Sequence, residues 1–355
     1  MKNKKVWVTL SAVLLLVVGA ILYWQVFRAA DRSAKPLGQP TLPEYSKEMD
    51  IAALDNEGAN QYQVFAALVR LAQMRDPTAL KEAIQRARDK SEWVRAGCAE
   101  ALGHYEDAKA QDLLFQLLKD QSEMVRVKAL KGLGLRPDEK NKTYLQRALT
   151  DAKLSFPEFV EASASFVKIA QRPQEKIPVL EKLVQRSVLE ADLNNRFNGL
   201  TSAAGLGPTE DFLIKALNAE LTKNEAPRIM EMSIRHLAAV QPNEMRERVL
   251  KLKNHPESGV RLAVVQTLHL VCPSERWAIL GEILMSEKDS LVWNDAVREI
   301  VLMPAPEGKR ILEQLMKNDS LSGEQKKTIS TAQRQLAATK ARDFCEGKQG
   351  VVHSF

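Results

Sequence analysis

The sequence predicts an all-α protein, with one apolar helix near the amino terminus followed by a long stack of helical pairs. Three observations carry that expectation. Residues 6–27 hold no charged side chain. From about residue 46 to 342, apolar residues recur every three or four positions, and Asp, Asn, Pro or Gly stand at the breaks. Finally, DKSEWVRAGCAEALG at 89–103 returns as DQSEMVRVKALKGLG at 120–134, an offset of 31.

The apolar stretch VWVTLSAVLLLVVGAILYWQVF at 6–27 is long enough, at about 33 Å as a helix, to cross a bilayer core of about 30 Å. Trp7 at one end and Tyr23 and Trp24 at the other suit the two interfaces. A cleaved signal peptide has a shorter apolar region and a small-residue cleavage site, so an uncleaved anchor is expected. Lys2, Lys4 and Lys5 favour a cytoplasmic tail, with the body beyond the membrane and periplasmic in a bacterium. Residues 28–45, with Pro36, Gly38, Pro40 and Pro43, read as a semi-extended tether.

Charge narrows the possible partners. The chain has 355 residues and a formal net charge of +6. Residues 1–35 carry Lys2, Lys4, Lys5, Arg28, Arg32 and Lys35 against Asp31, so the remaining 320 residues sit near +1. An overall basic footprint for nucleic acid is absent.

The repeat defines the body, expected as about eight helical pairs over 46–342 with a loose tail at 343–355. Taking Val94, Cys98 and Leu102 as reference, the pattern recurs at Gln63, Val125, Val160, Asn198, Ile229, Val260 and Val292. Each unit reads as two helices, which bury their apolar faces by stacking on neighbours. Ser91 and Ser122 stand where helix N-caps are wanted. Gly103 and Gly134 stand near helix ends, where a left-handed residue is often needed. The polar segment 322–342 suits a terminal cap.

The string D…VR..A…LG after a Leu-rich helix resembles the HEAT-type repeat, particularly its short, phycobilin-lyase-like variety, over roughly residues 60–318. The resemblance implies a right-handed α-α superhelix in which the second helix of each pair lines the concave side. It also implies that Asp89, Arg95, Asp120, Arg126 and Arg261 form a structural ladder rather than an anion clamp. Departures occur where Glu161 and Gly199 take the Arg position and His255 takes the Asp position.

No catalytic, metal or cofactor residues are assigned. Nucleophile elbows, P-loops and HExxH or C-x2-C patterns do not occur. Iron-binding hydroxylases of similar architecture use His-Glu pairs, and this chain has no His-Glu dipeptide. Cys98 and Cys272 lie in apolar helical contexts and read as buried hydrophobes, and a disulfide framework is not expected. Asn141 and Asn318 match glycosylation acceptors.

The candidate site is a pair of rows on the second helices. The first reads Tyr62, Trp93, Met124, Phe159, Phe197, Arg228, Gly259 and Leu291. The second, seven residues on, reads Val69, Glu100, Lys131, Phe166, Ala204, Arg235, Gln266 and Arg298. Exposed, the aromatic members form a binding stripe, and Lys131, Arg235 and Arg298 meet acidic groups on a partner; covered by adjacent helices, the large side chains are simply core. The expected function is a membrane-anchored, non-enzymatic scaffold binding a protein or peptide. The alternative is a lyase- or chaperone-type protein holding a small ligand or chromophore in the concavity.

Overall fold

The computed structural model describes residues 46–56, 58–339 and 345. The chain divides into two units, 1–49 and 50–355, and the helical stack belongs to the second. Among the described residues every regular element is a helix. A short α1 (Lys47–Asp55) comes first and α2 (Gln61–Gln73) follows. Eight pairs succeed it: α3 (Pro77–Arg86) with α4 (Glu92–Leu102), α5 (Ala108–Leu117) with α6 (Glu123–Gly134), α7 (Glu139–Ala148) with α8 (Phe156–Ile169), and α9 (Pro173–Leu189) with α10 (Leu193–Leu206). The later four are α11 (Asp211–Lys223) with α12 (Pro227–Val240), α13 (Pro242–Leu252) with α14 (Ser258–Val271), α15 (Arg276–Ser286) with α16 (Ser290–Leu302), and α17 (Pro306–Met316) with α18 (Gly323–Ala338).

The expected anchor at 6–27 and tether at 28–45 lie outside the described residues. No described helix is long and apolar enough to cross a membrane. The longest, α9, has 17 residues and carries Glu175, Lys176, Glu181, Lys182 and Arg186. A span needs about 20 mostly apolar residues. The expected placement, a single-pass membrane protein with its body beyond the membrane, is corrected on this finding.

The even-numbered helices form the tighter layer. Neighbours α2, α4, α6 and α8 pack closely, as do α12, α14 and α16, whereas odd-numbered neighbours touch more sparsely. Small residues permit the close approach. A Cβ built on Gly103 would stand 2.5 Å from the Cα of Gly132, and one on Gly134 would collide with Ser165. Gly103 is right-handed, with φ −62°, so proximity rather than a left-handed turn explains it. The expected caps also differ: neither Ser91 nor Ser122 accepts a capping bond through its side chain. Instead Asp89 accepts the Ser91 N–H at 2.8 Å and Asp120 the Ser122 N–H at 2.9 Å.

Those aspartates belong to a device that ties unit to unit. Arg95 donates to the Asp89 and Lys90 carbonyls of its own turn and makes a two-pronged pair with Asp120 of the next unit, at 2.7 and 2.9 Å. Arg126 bonds the Asp120 and Gln121 carbonyls and reaches Glu158 at 2.6 Å. Arg261 bonds the His255 and Pro256 carbonyls and grips Glu287 at 2.7 and 2.9 Å. His255 takes the aspartate's place chemically as well, its Nδ1 accepting the Glu257 N–H at 3.1 Å.

The middle of the chain shifts the expected register. Ser155 caps α8 and Asp192 caps α10. Counting from the caps, the reference position of α8 is Glu158, not Val160, and that of α10 is Asn195, not Asn198. The arginine position therefore falls on Phe159 and on Arg196, not on Glu161 and Gly199. Arg196 behaves accordingly, donating to the Glu190 carbonyl at 2.7 Å and pairing with Glu220 at 3.4 Å. Phe159 lies in the core beneath Arg186, whose guanidinium stands 4.1 Å from the ring centroid.

Two further expectations change. Asn141 is fully buried, accepting from Gln111 at 2.7 Å and donating to the Arg136 carbonyl at 3.2 Å, so it ties α5 and the turn after α6 to α7 and offers no acceptor for a sugar. Cys272 forms a disulfide with Cys345, 73 residues away. It stands at the end of α14 in a left-handed conformation, φ 45°, and the bond ties the segment after α18 back to α14. Cys98 is buried and free, and burial pushes its thiol pKa up.

Three outcomes follow from this packing. Gly103→Ala costs about 1–3 kcal/mol in urea unfolding because backbone must shift, whereas Gly205→Ala, with nothing within 4 Å of its Cβ, gains about 0.4–1 kcal/mol. Cys272→Ser lowers stability by about 2–4 kcal/mol, and a melting temperature equal to that of the native chain contradicts the tie. The hydrogen bonds from Arg95 and Arg261 hold Asp120 and Glu287 below the usual carboxylate range. Such depressed groups stabilise fully above their unfolded pKa of about 4 and lose that contribution as pH falls through the folded values. Urea stability measured against pH therefore falls off below about 4, and Asp120→Asn removes about 2–4 kcal/mol at pH 7 and flattens the acid limb.

Candidate functional site

The tighter layer presents its most distinctive surface over α2, α4 and α6. Tyr62 opens α2 just after the Asn60 cap and is 54% exposed. Trp93 opens α4 one unit on, and their ring centroids stand 4.5 Å apart. Phe65, one turn along α2, meets the Trp93 ring edge-on at 6.2 Å. These three half-exposed rings form one platform, with Met124 half-buried at the corresponding place on α6.

A glycine shapes what lies next to it. A Cβ on Gly97 would come within 3.0 Å of the Phe65 backbone and 3.2 Å of its ring. Without that Cβ, the surface of α4 is low enough for Lys128 of α6 to reach across it, its Nζ standing 5.5 Å from the Phe65 ring centroid. Glycine inside a helix costs about 1 kcal/mol relative to alanine, and here close approach of the helices explains its presence.

Glu100 anchors the other end of the surface. Its residue is 3% exposed. Lys131 donates to Oε1 at 2.6 Å, and Lys128 stands 2.9 Å from Oε2 as a charge contact. Burial raises the Glu100 pKa, yet the two ammonium groups outweigh it and hold the carboxyl below its ordinary value. On α8, Glu161 accepts from Ser165 at 3.2 Å, and burial pushes its carboxyl up against the pull of Lys168, Lys131 and Lys128. His104 closes this end, its pKa lowered by burial and by Lys131 and Arg75.

The two predicted rows thus separate. Tyr62, Trp93 and Met124 share the platform with Phe65, which the rows omitted although it lies one turn from Tyr62. Glu100 and Lys131 meet each other rather than both facing a partner. Phe159 and Phe166 are in the core, 1% and 3% exposed, because of the register shift in α8. Phe197 is half-buried beneath the Arg228 guanidinium, 4.2 Å from its ring centroid. Arg235 donates to Gln266 at 2.8 Å. Arg298 bonds Asp295 at 3.1 Å and lines a cavity of about 450 Å³ between α16 and α18. Leu291 is 66% exposed. An aromatic stripe along the whole layer is therefore replaced by a local patch over the first three tight helices.

Other cavities lie between neighbouring units. One of about 530 Å³ is floored by Arg95 and Asp120, and its counterpart of about 480 Å³ by Arg261 and Glu287. They mark the same structural place twice. Among the described residues no group of three or more His, Cys, Asp or Glu is arranged to hold a metal ion.

Comparison with family models agrees with the repeat. The family description "HEAT repeats" matches residues 51–126 and 80–164. No curated protein matches the chain. Among solved structures, human deoxyhypusine hydroxylase in complex with glycerol is 16% identical, with 82% of this chain and 97% of that chain covered and a TM-score of 0.32. The complex of CpcE and CpcF of phycocyanin lyase from a Nostoc species is also 16% identical, with 86% and 99% covered and a TM-score of 0.25. The match to HEAT repeats thus spans residues 51–164, and every regular element among the described residues is a helix.

Proposed function

We propose that this chain is a non-enzymatic interaction scaffold that binds a protein or peptide on the tighter layer of a right-handed HEAT-like solenoid. The observation that carries this reading is the platform of Tyr62, Phe65 and Trp93 beside two lysines. Aromatic rings at a surface supply large, rigid contact area, and such residues dominate binding energy where they occur. The α4 helix that carries Trp93 is locked to the next unit by Arg95 and Asp120, so little order is lost when a partner docks. Repeat stacks also suit this use, since each unit adds surface without altering the next.

The test is capture by the full-length chain of a protein that a substituted chain does not capture. Tyr62→Ala and Trp93→Ala each weaken retention about tenfold or more, as expected for loss of about 1.4–2 kcal/mol at a hot spot. Leu291→Ala, at an exposed position far along the stack, serves as the comparison. Equal retention by folded Trp93→Ala, with circular dichroism matching the native chain, sinks the platform as the binding surface.

A further inference from the structure

The charges beside the platform are layered. The carboxylates lie lower: the Glu100 side chain is 4% exposed, and Glu161 is half-buried. The ammonium groups lie above them, with side chains 27% exposed at Lys128 and 34% at Lys131. Lys168 on α8 and Arg75 after α2 are exposed at the same end of the helices. Although acids and bases alternate in sequence, the face turned to solvent is therefore positive. Glu100 also fixes where the charge is displayed, since both of its oxygens hold a lysine in place. Cations at the carboxyl ends of α6 and α8 further suit the negative ends of those helices.

We infer that this surface takes an acidic segment of a partner protein, with an apolar or aromatic side chain on Tyr62, Phe65 and Trp93 and carboxylates at Lys128, Lys131 and Lys168. The inference rests on the reading of the tighter layer as a binding surface and adds the chemistry of what it binds. Spacing supports it. Trp93 and Glu100 lie seven residues apart on α4, about 10 Å along the axis. An extended strand covers that distance in about three residues, so the ring-binding and acidic side chains stand about three positions apart in the partner. A basic segment meets like charge and loses the ion pairs. Single-stranded nucleic acid needs a continuous basic track with successive stacking rings. This surface has one platform, on a body whose net charge beyond residue 35 is near +1.

The experiment is fluorescence anisotropy with the full-length chain and four labelled probes. The first is a synthetic peptide of about twelve residues, bearing Phe and, about three positions on, two Glu. The second replaces Glu by Lys, the third replaces Phe by Ala, and the fourth is a single-stranded oligonucleotide. The acidic, Phe-bearing peptide is expected to bind about tenfold or more tighter than the Lys version, and to weaken about tenfold as salt rises from about 0.05 to 0.5 M. Lys128→Gln and Lys168→Gln are each expected to weaken it about three- to tenfold, while Lys215→Gln on α11 leaves it unchanged. Should Lys128→Gln disturb folding through Glu100, exposed Lys168→Gln still decides. Equal or tighter binding of the Lys peptide overturns the inference yet leaves the binding-surface reading intact. Tighter binding of the oligonucleotide overturns it in favour of nucleic acid. No binding by any probe also overturns it, and the capture experiment with Trp93→Ala then judges the reading separately.

Discussion

The pairing of an arginine with the carboxylate of the next unit is the interaction on which the rest of the stack depends. Arg95, Arg126, Arg196 and Arg261 each sit four residues past a helix cap and fold back onto a carbonyl six residues earlier. The same guanidinium then reaches forward to Asp120, Glu158, Glu220 or Glu287. One side chain thus fixes the turn within a unit and the spacing between units. A guanidinium is suited to this because its planar fork can bond two carbonyls and a carboxylate together. The pairs are partly buried, so losing one partner strands a charge and costs more than an exposed pair would.

Rotation of the tight-layer helices that carry such an arginine follows from that fixed turn. Once the cap and the arginine are placed, the residue two positions past the cap faces outward and the one three past it faces the core. Trp93 and Met124 occupy the outward place and Val94 and Val125 the inward one. The same rule puts Phe159, four past the Ser155 cap, in the arginine position and in the core. It also brings Gly97 beneath Phe65 and lets Lys128 reach Glu100, so the candidate surface is a consequence of the ladder combined with a few local substitutions.

Much of this was legible in the sequence, and the failures have physical causes. The strong copies at 89–103 and 120–134 gave the unit, and the family description of HEAT repeats covers both. The middle units misled because aligning apolar residues there overlooked the turn chemistry. Glu190 and Arg196 keep the same six-residue spacing as Asp89 and Arg95, and that spacing was the available signal for the α10 register. In α8 Phe159 replaces the arginine, and the signal there was the capping box of Ser155 and Glu158. The capping role of Asp89 and Asp120 was misassigned to the serines, since sequence shows which polar residues crowd a turn but not which oxygen receives the N–H. The Cys272–Cys345 pairing depends on a contact across 73 residues, which spacing does not encode. The recessed position of Glu100 was hidden for a similar reason: its burial comes from a neighbouring unit.

The most direct test of the account is residue-resolved hydroxyl-radical footprinting of the native chain, read by mass spectrometry. The ladder-set register predicts rapid oxidation of Tyr62, intermediate oxidation of Trp93, and protection of Phe159 and Phe166 to the level of core residues such as Trp293. Oxidation of Phe159 at a rate comparable with Tyr62 would contradict it, because the helix would then be rotated away from the frame that the arginines impose.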